Sequence, residues 1–414
     1  MTRHALMLAA SLALVAGFVA ADPITDDRSE SPVAGFIWGT VETRSGDAYT
    51  GTLRWDDEES FWDDHFNASK AELPYAKLAE KRKPDDDATW WQRMVKTIGD
   101  DLGLHRIGRV VTVRFGDLAG LRTSRGDDVV LILRDGTELE VDDSSNDLGS
   151  PVIVEDPDVG LVEVPWRQVA KVTFGPTPDL ARSGVFRLHG TVSTRTGDLA
   201  GWVQWDSQEC LSTDILDGDS EGSRVKLEMG KIRTIERLNS RSAVVTLKDG
   251  TSLELSGTND VNDDIRGILV EDPRYGRVEV PWKQFVKVVF DDPDGSGRGF
   301  AEFSHIRHLE GTVTTSSGQR LVGRLVFDLD EEWSWEMLDG SAGEIEYTIP
   351  FDSVAAIKPD GKDGALVSLR NGESLRLEDS HDVSADNDGV VVVTSSGGDP
   401  VHVPWREIDR IDFN

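Results

Sequence analysis

Histidine is the side chain best suited to acid–base or metal chemistry near neutral pH. Beyond residue 21 the chain carries His65, His105, His189, His305, His308, His381 and His402. They recur at no common spacing, and no HExxH, GxSxG, phosphate-cradling glycine loop or CxxC accompanies them. His305 and His308 with Asp64 and His65 are ligand types, but nothing in their spacing brings them together. With 76 acidic residues, a carboxylate pair at glycosidase separation arises by chance, so no pair is informative. Asp292, Asp294, Ser296 and Gly297 match the opening of a calcium loop. Glu302 falls one position early and Phe303 takes the last place, so the stretch reads as a turn-rich linker. Cys210 is the single cysteine, which rules out an intramolecular disulfide; it reads as a small residue in or beside a core strand. No catalytic, cofactor-binding or metal-ligating residue is nominated, and the expectation is a protein that is not an enzyme and carries no cofactor.

Tryptophans offer a different chemistry, because exposed indoles stack sugars. Trp166, Trp282 and Trp405 recur in register and belong to cores, as do Trp55, Trp205 and Phe327. Trp38, Trp62, Trp90, Trp202 and Trp335 have no recurring counterparts and remain the candidates for a carbohydrate surface. Trp38 stands where the other copies have His189 and Glu310 and is expected to face solvent.

The elements that position these residues repeat with a period of roughly 120 residues. VEVPWRQVAKVTF, VEVPWKQFVKVVF and VHVPWREIDRIDF end at Phe174, Phe290 and Phe413. Each copy holds an upstream hairpin in which apolar residues alternate around Asp135-Gly136, Asp249-Gly250 or Asn371-Gly372, dipeptides suited to a type I′ turn. Asn146-Asp147-Leu148, Asn259-Asp260-Val261 and His381-Asp382-Val383 follow. They are either a polar site shown once per copy or an Asx-type corner that caps backbone amides, and short side chains favour the corner.

The first half of each copy starts at Gly39, Gly190 or Gly311, runs into Trp55-Asp56, Trp205-Asp206 or Phe327-Asp328, and closes with VRFGDLAGL, LEMGKIRTI or IPFDSVAAI. IPFDSVAAI matches VPWREIDRI in spacing, so every copy divides into two similar halves of about five short strands. Through the succession of strand, DG or NG hairpin, strand, loop, then VPW strand and short turn, the halves resemble the SH3-like and Sm-like small β-barrels. The resemblance implies an all-β fold of three tandem units, each a pair of five-stranded barrels. Taken literally it also implies RNA binding, which the acidic charge and the export signal oppose.

The boundaries follow: a signal peptide over 1–21, a polar lead-in over 22–34, unit one over 35–174, unit two over 185–290 and unit three over 306–414. Linkers run from Gly175 to Gly184 and from Asp291 to Gly299. Unit one carries an insertion over about 66–104 that reads as helical, with Trp91, Met94, Val95 and Ile98 on one face after Asp87 and a second helix from Lys70 to Lys81.

Arg3, the apolar run Ala5 to Ala20 and the small residues before Asp22 form a secretory signal. The run is too short for a stable membrane anchor. A formal charge of −32 repels nucleic acid and favours cations or basic partners. The expected function is an exported, periplasmic or extracellular, noncatalytic interaction scaffold, elongated and acidic, whose partner is a protein. A carbohydrate or cell-wall binding module that takes a polysaccharide, and a hydrolase with an unrecognised site, are the alternatives.

Overall fold

Alternating apolar residues between glycine and asparagine turns produce strands and little else. The computed structural model describes residues 33–70, 75, 110–123, 129–142, 147–178, 185–293, 295–303, 305–394 and 398–414. Among them the regular elements are β-strands and short 3-10 turns. In copy one the strands are β1 (Trp38–Thr43), β2 (Ala48–Trp55), β3 (His65–Lys70), β4 (Val110–Arg114), β5 (Leu118–Thr123), β6 (Val129–Leu133), β7 (Glu138–Asp142), β8 (Val152–Asp156), β9 (Gly160–Val164) and β10 (Val169–Phe174). Copy two has β11 (His189–Thr194), β12 (Asp198–Trp205), β13 (Ile215–Ser220), β14 (Ser223–Glu228), β15 (Ile232–Arg237), β16 (Ser242–Leu247), β17 (Ser252–Ser256), β18 (Ile268–Asp272), β19 (Gly276–Val280) and β20 (Phe285–Asp291). Copy three has β21 (Glu310–Thr315), β22 (Arg320–Phe327), β23 (Met337–Ala342), β24 (Ile345–Pro350), β25 (Val354–Pro359), β26 (Gly364–Leu369), β27 (Ser374–Glu378), β28 (Val390–Val393), β29 (Val401–Val403) and β30 (Ile408–Phe413).

The fold is all-β, with two large antiparallel sheets. Copy one forms a ten-stranded sheet in the order β4-β3-β7-β6-β5-β10-β1-β2-β8-β9, and copies two and three share a twenty-stranded sheet. The same pairings recur in every copy, but the halves are nested where consecutive halves are expected. β1 and β2 pair with β10 and β8, and β3 to β7 pair among themselves inside that frame. The likeness of the two closing strands explains the difference: similar strands cannot tell which hairpin each one closes. β5–β10, β15–β20 and β25–β30 join inner group to outer. Copies two and three join through β19–β24, with Val278 opposite Tyr347.

The DG and NG hairpins also differ from expectation. φ is positive at Gly136, Gly250 and Gly372 but not at the residue before each, among the described residues. Gly136 N–H donates to Leu133 O and Leu133 N–H to Thr137 O, a three-residue loop of type I turn plus G1 bulge. The preceding acid or amide supports it, since Asp135, Asp249 and Asn371 accept from the N–H two residues on.

Residues 66–70, expected to open the insertion over about 66–104, belong to β3, of which His65–Ser69 pair in register with β4 and Lys70 with Val141 of β7. Phe66 and Ala68 are fully buried, a strand alternation that the helical reading overran. The two predicted helices, the signal peptide and Trp90 lie outside the described residues, apart from Lys70 in β3 and Tyr75 in a turn. Each core centres on an aromatic pair: Trp55 and Trp166 at 5.8 Å, Trp205 and Trp282 at 6.3 Å, Phe327 and Trp405 at 6.0 Å between ring centroids. Among the described residues, copy one contacts copy two through Asp63 and Arg187 and copy three through Lys70 and Glu336.

Candidate functional site

Two recurring motifs that lie far apart in sequence meet in space. β2, β12 and β22 each end in an aromatic residue followed by Asp56, Asp206 or Asp328, whose φ values are 51°, 49° and 46°. Aspartate tolerates this left-handed conformation better than most residues. It turns the chain so that Trp55, Trp205 and Phe327 donate their N–H to the carbonyls of Glu59, Glu209 and Glu331. The Asp147, Asp260 and Asp382 loops cover the same corner. Their carboxylates accept the N–H of Asn67, Asp217 and Asp339 on the neighbouring strands, so the aspartates cap backbone amides 80, 43 and 43 residues away and not within an Asx-type corner of their own loop. Trp55 and Trp205 tie the loop down further, each indole donating at 2.8 Å to the carbonyl of Asp147 or Asp260. Phe327 has no such donor.

Each copy thus holds an acidic corner made of Asp56, Glu59 and Asp147, of Asp206, Glu209 and Asp260, or of Asp328, Glu331 and Asp382. Burial and the neighbouring carboxylates make ionisation costly there. Burial, then Asp147, raises Glu59 well above the usual range. Burial, then Asp260 and Asp206, pushes Glu209 up to about 9, and burial raises Asp260 to about 6. Glu331 is raised well above its ordinary value by burial, then by Asp330 and Asp382.

The copies answer this charge differently. The residue two places before β8, β18 or β28 is Ser150, Arg266 or Asp388. Ser150 Oγ donates to Asp56 Oδ2 at 3.2 Å. Arg266 spreads its guanidinium over the buried Asp206, with Nη2 2.6 Å from Oδ2. Asp388 brings its N–H, 2.5 Å from Asp328 Oδ1, and a further carboxylate where copy two has a guanidinium. His381 Nδ1 lies 2.5 Å from Asp328 Oδ2. Among the described residues, a cation beside this corner comes from copy one. Buried Lys70 donates to Glu336 and to the Asp330 carbonyl, and these acids hold its ammonium up although burial alone would lower it.

A second ionic centre joins copies one and two. Buried Arg187 reaches Asp63 Oδ1 at 2.6 Å and Asp64 Oδ1 at 3.3 Å, and Arg277 reaches Asp64 at 3.2 Å and Glu271. His65 is buried beside it, its pKa driven well down by burial, then by Arg277 and Arg114. His308 stacks on Trp333 at 3.8 Å, so it and Asp64 serve different partners. In the calcium-like linker, Ser296 Oγ accepts Gly35 N–H at 2.9 Å and Asp292 pairs with Lys248. Asp294 lies outside the described residues. Beyond it the chain docks on copy one, where Phe300 packs 4.6 Å from Trp62 and Phe303 is buried. Cys210 is buried, and burial pushes its thiol up. Trp62 and Trp335 are buried, Trp38 and Trp202 half-buried. That removes two of the five tryptophans proposed for a carbohydrate surface; Trp38 lies on the partly exposed face of β1.

One strand edge completes the picture. Among the described residues β9 pairs on one side only, with β8. Its counterpart β19 carries β24 on that other side, where Tyr275 packs edge-on against Tyr347 at 5.8 Å. In β9 and the turn before it, Val159 and Leu161 replace Tyr275 and Arg277 and are 63% and 76% exposed.

Sequence reasoning found the WD and ND motifs but not their meeting, and it missed Arg187, Arg266, Arg277 and Lys70, which do not recur between copies. No helix among the described residues is long and apolar enough to cross a membrane. Comparison with protein-family models, with curated proteins and with solved structures finds no match for this chain.

Proposed function

We propose that the protein is an exported, noncatalytic interaction scaffold, and that its protein partner adds an extended segment along β9. In this reading each copy is a pair of nested five-stranded SH3-like barrels, and copy one bears a helical insertion after β3. The observation that carries it is the β19–β24 junction: where copy two offers this edge, a strand of another copy fills it. Copy one offers the same edge with two exposed apolar side chains, and strand addition is a general route to peptide recognition. The acidic surface selects partners with basic flanks and disfavours nucleic acid.

The test pairs affinity capture with an edge variant. The mature protein should retain a protein from its own envelope fraction, crosslinked through residues 159–163, that the double variant Val159→Lys, Leu161→Lys releases. A partner held equally by both proteins rejects the edge. A chain recovered in the cytoplasm with Met1 still attached rejects export.

A further inference from the structure

We propose that the acidic corner of copy three is a site for a hard divalent cation, held by Asp328, Asp330 and Glu331 with Asp382 in an adjoining group. One carboxylate oxygen from each of Asp328, Asp330 and Glu331 lies within 4.8 Å of the others, and Asp328, His381 and Asp382 form an adjoining group of the same span. The donors are carboxylates, and His381 turns its Nδ1 to Asp328, so the set suits an oxygen-seeking ion over a softer one.

An acidic cluster alone would not carry this assignment. Glu331 is 9% exposed, its Oε2 has no hydrogen-bond partner, and it lines a cavity of about 440 Å³ together with Asp328, Asp330, Asp339 and Asp382. An acceptor so placed in a low-dielectric site calls for a positive partner. Copy two's corner holds a group of the same span, Asp206, Glu209 and Asp260, in which Glu209 Oε2 likewise has no hydrogen-bond partner, but there the Arg266 guanidinium covers Asp206. In copy three that position is Asp388, which turns a cation into an anion. Among the described residues Lys70 brings one charge to this corner, and it donates to Glu336 and the Asp330 carbonyl. The inference does not depend on strand addition at β9.

Calcium titration of the full mature protein by calorimetry tests it, with magnesium as competitor. We expect binding at about 0.1–1 mM or tighter, the range of extracellular calcium modules. Glu331→Gln and Asp330→Asn should each weaken it at least tenfold. Asp388→Arg, which installs the copy-two arrangement, should abolish it, and Glu209→Gln should leave the isotherm unchanged. Thermal melts of the apo proteins identify any variant that fails to fold. Absence of calcium binding by the folded wild type, or binding that survives both Glu331→Gln and Asp388→Arg, overturns the proposal.

Discussion

Copies two and three hold the same acidic corner and treat its charge in opposite ways. In copy two the corner is closed from within, by Arg266 over Asp206 and by the Trp205 indole on the Asp260 loop. In copy three both devices are replaced, by Asp388 and Phe327, and positive charge arrives from Lys70 of another copy. The repeated frame therefore fixes where the carboxylates stand, and single substitutions outside the repeat pattern decide what neutralises them.

The comparison is broken most severely at its aromatic anchor. Trp205→Ala should cost about 3–5 kcal/mol, from the cavity it leaves. Trp205→Phe, which imitates copy three, should cost about 1–2 kcal/mol for the lost indole hydrogen bond. Denaturant melts of the two variants separate packing from tether. Next, Arg266→Ala takes the guanidinium from the fully buried Asp206 and leaves it the Asn259 amide and the N–H of residue 266. Because the Arg266 side chain is 41% exposed, the loss should be about 1–3 kcal/mol, below that of a fully buried pair.

A smaller effect concerns pH. The folded state holds Glu209 up to about 9 and Asp260 up to about 6, so it binds protons more tightly than the unfolded chain. Their contribution is complete below the ordinary carboxylate range and is lost as pH rises through about 6 and then about 9. Glu209→Gln should flatten the fall of the melting temperature between pH 5 and 9, raising the midpoint at pH 8 by about 1–2 °C per kcal/mol recovered. Equal slopes in variant and wild type would contradict the crowding of these carboxyls. Smallest of all, Val159→Lys and Leu161→Lys should alter stability by less than about 0.5 kcal/mol each, because both side chains already lie in solvent.

Much of this fold could be read in advance from residues that recur. The proline-tryptophan strands, the DG hairpins and the corner motifs each appear three times, and recurrence separates a structural requirement from chance. Nesting escaped that logic. IPFDSVAAI and VPWREIDRI are alike because both close a five-stranded group, and likeness carries no information about which hairpin receives which strand. The candidate site suffered for the same reason: Asp206 and Asn259 are hydrogen-bonded across 53 residues, a contact that exists only once β13 to β17 are placed inside the frame. Arg187 and Arg277 were illegible for the converse reason. They occur once each, at a junction between copies, and periodicity is silent about what is unique.

Nesting also imposes an order on how the chain is made. β13 to β17 are contiguous and can associate as soon as they exist, whereas β11 must find β20 with His189 opposite Asp291, about a hundred residues later. Each copy should therefore assemble from the inside outward, with its opening hairpin waiting longest for a neighbour. Pulse-labelled hydrogen exchange during refolding should show β16 and β17 protected before β11 and β12, in a molecule whose first strands are its last to be secured.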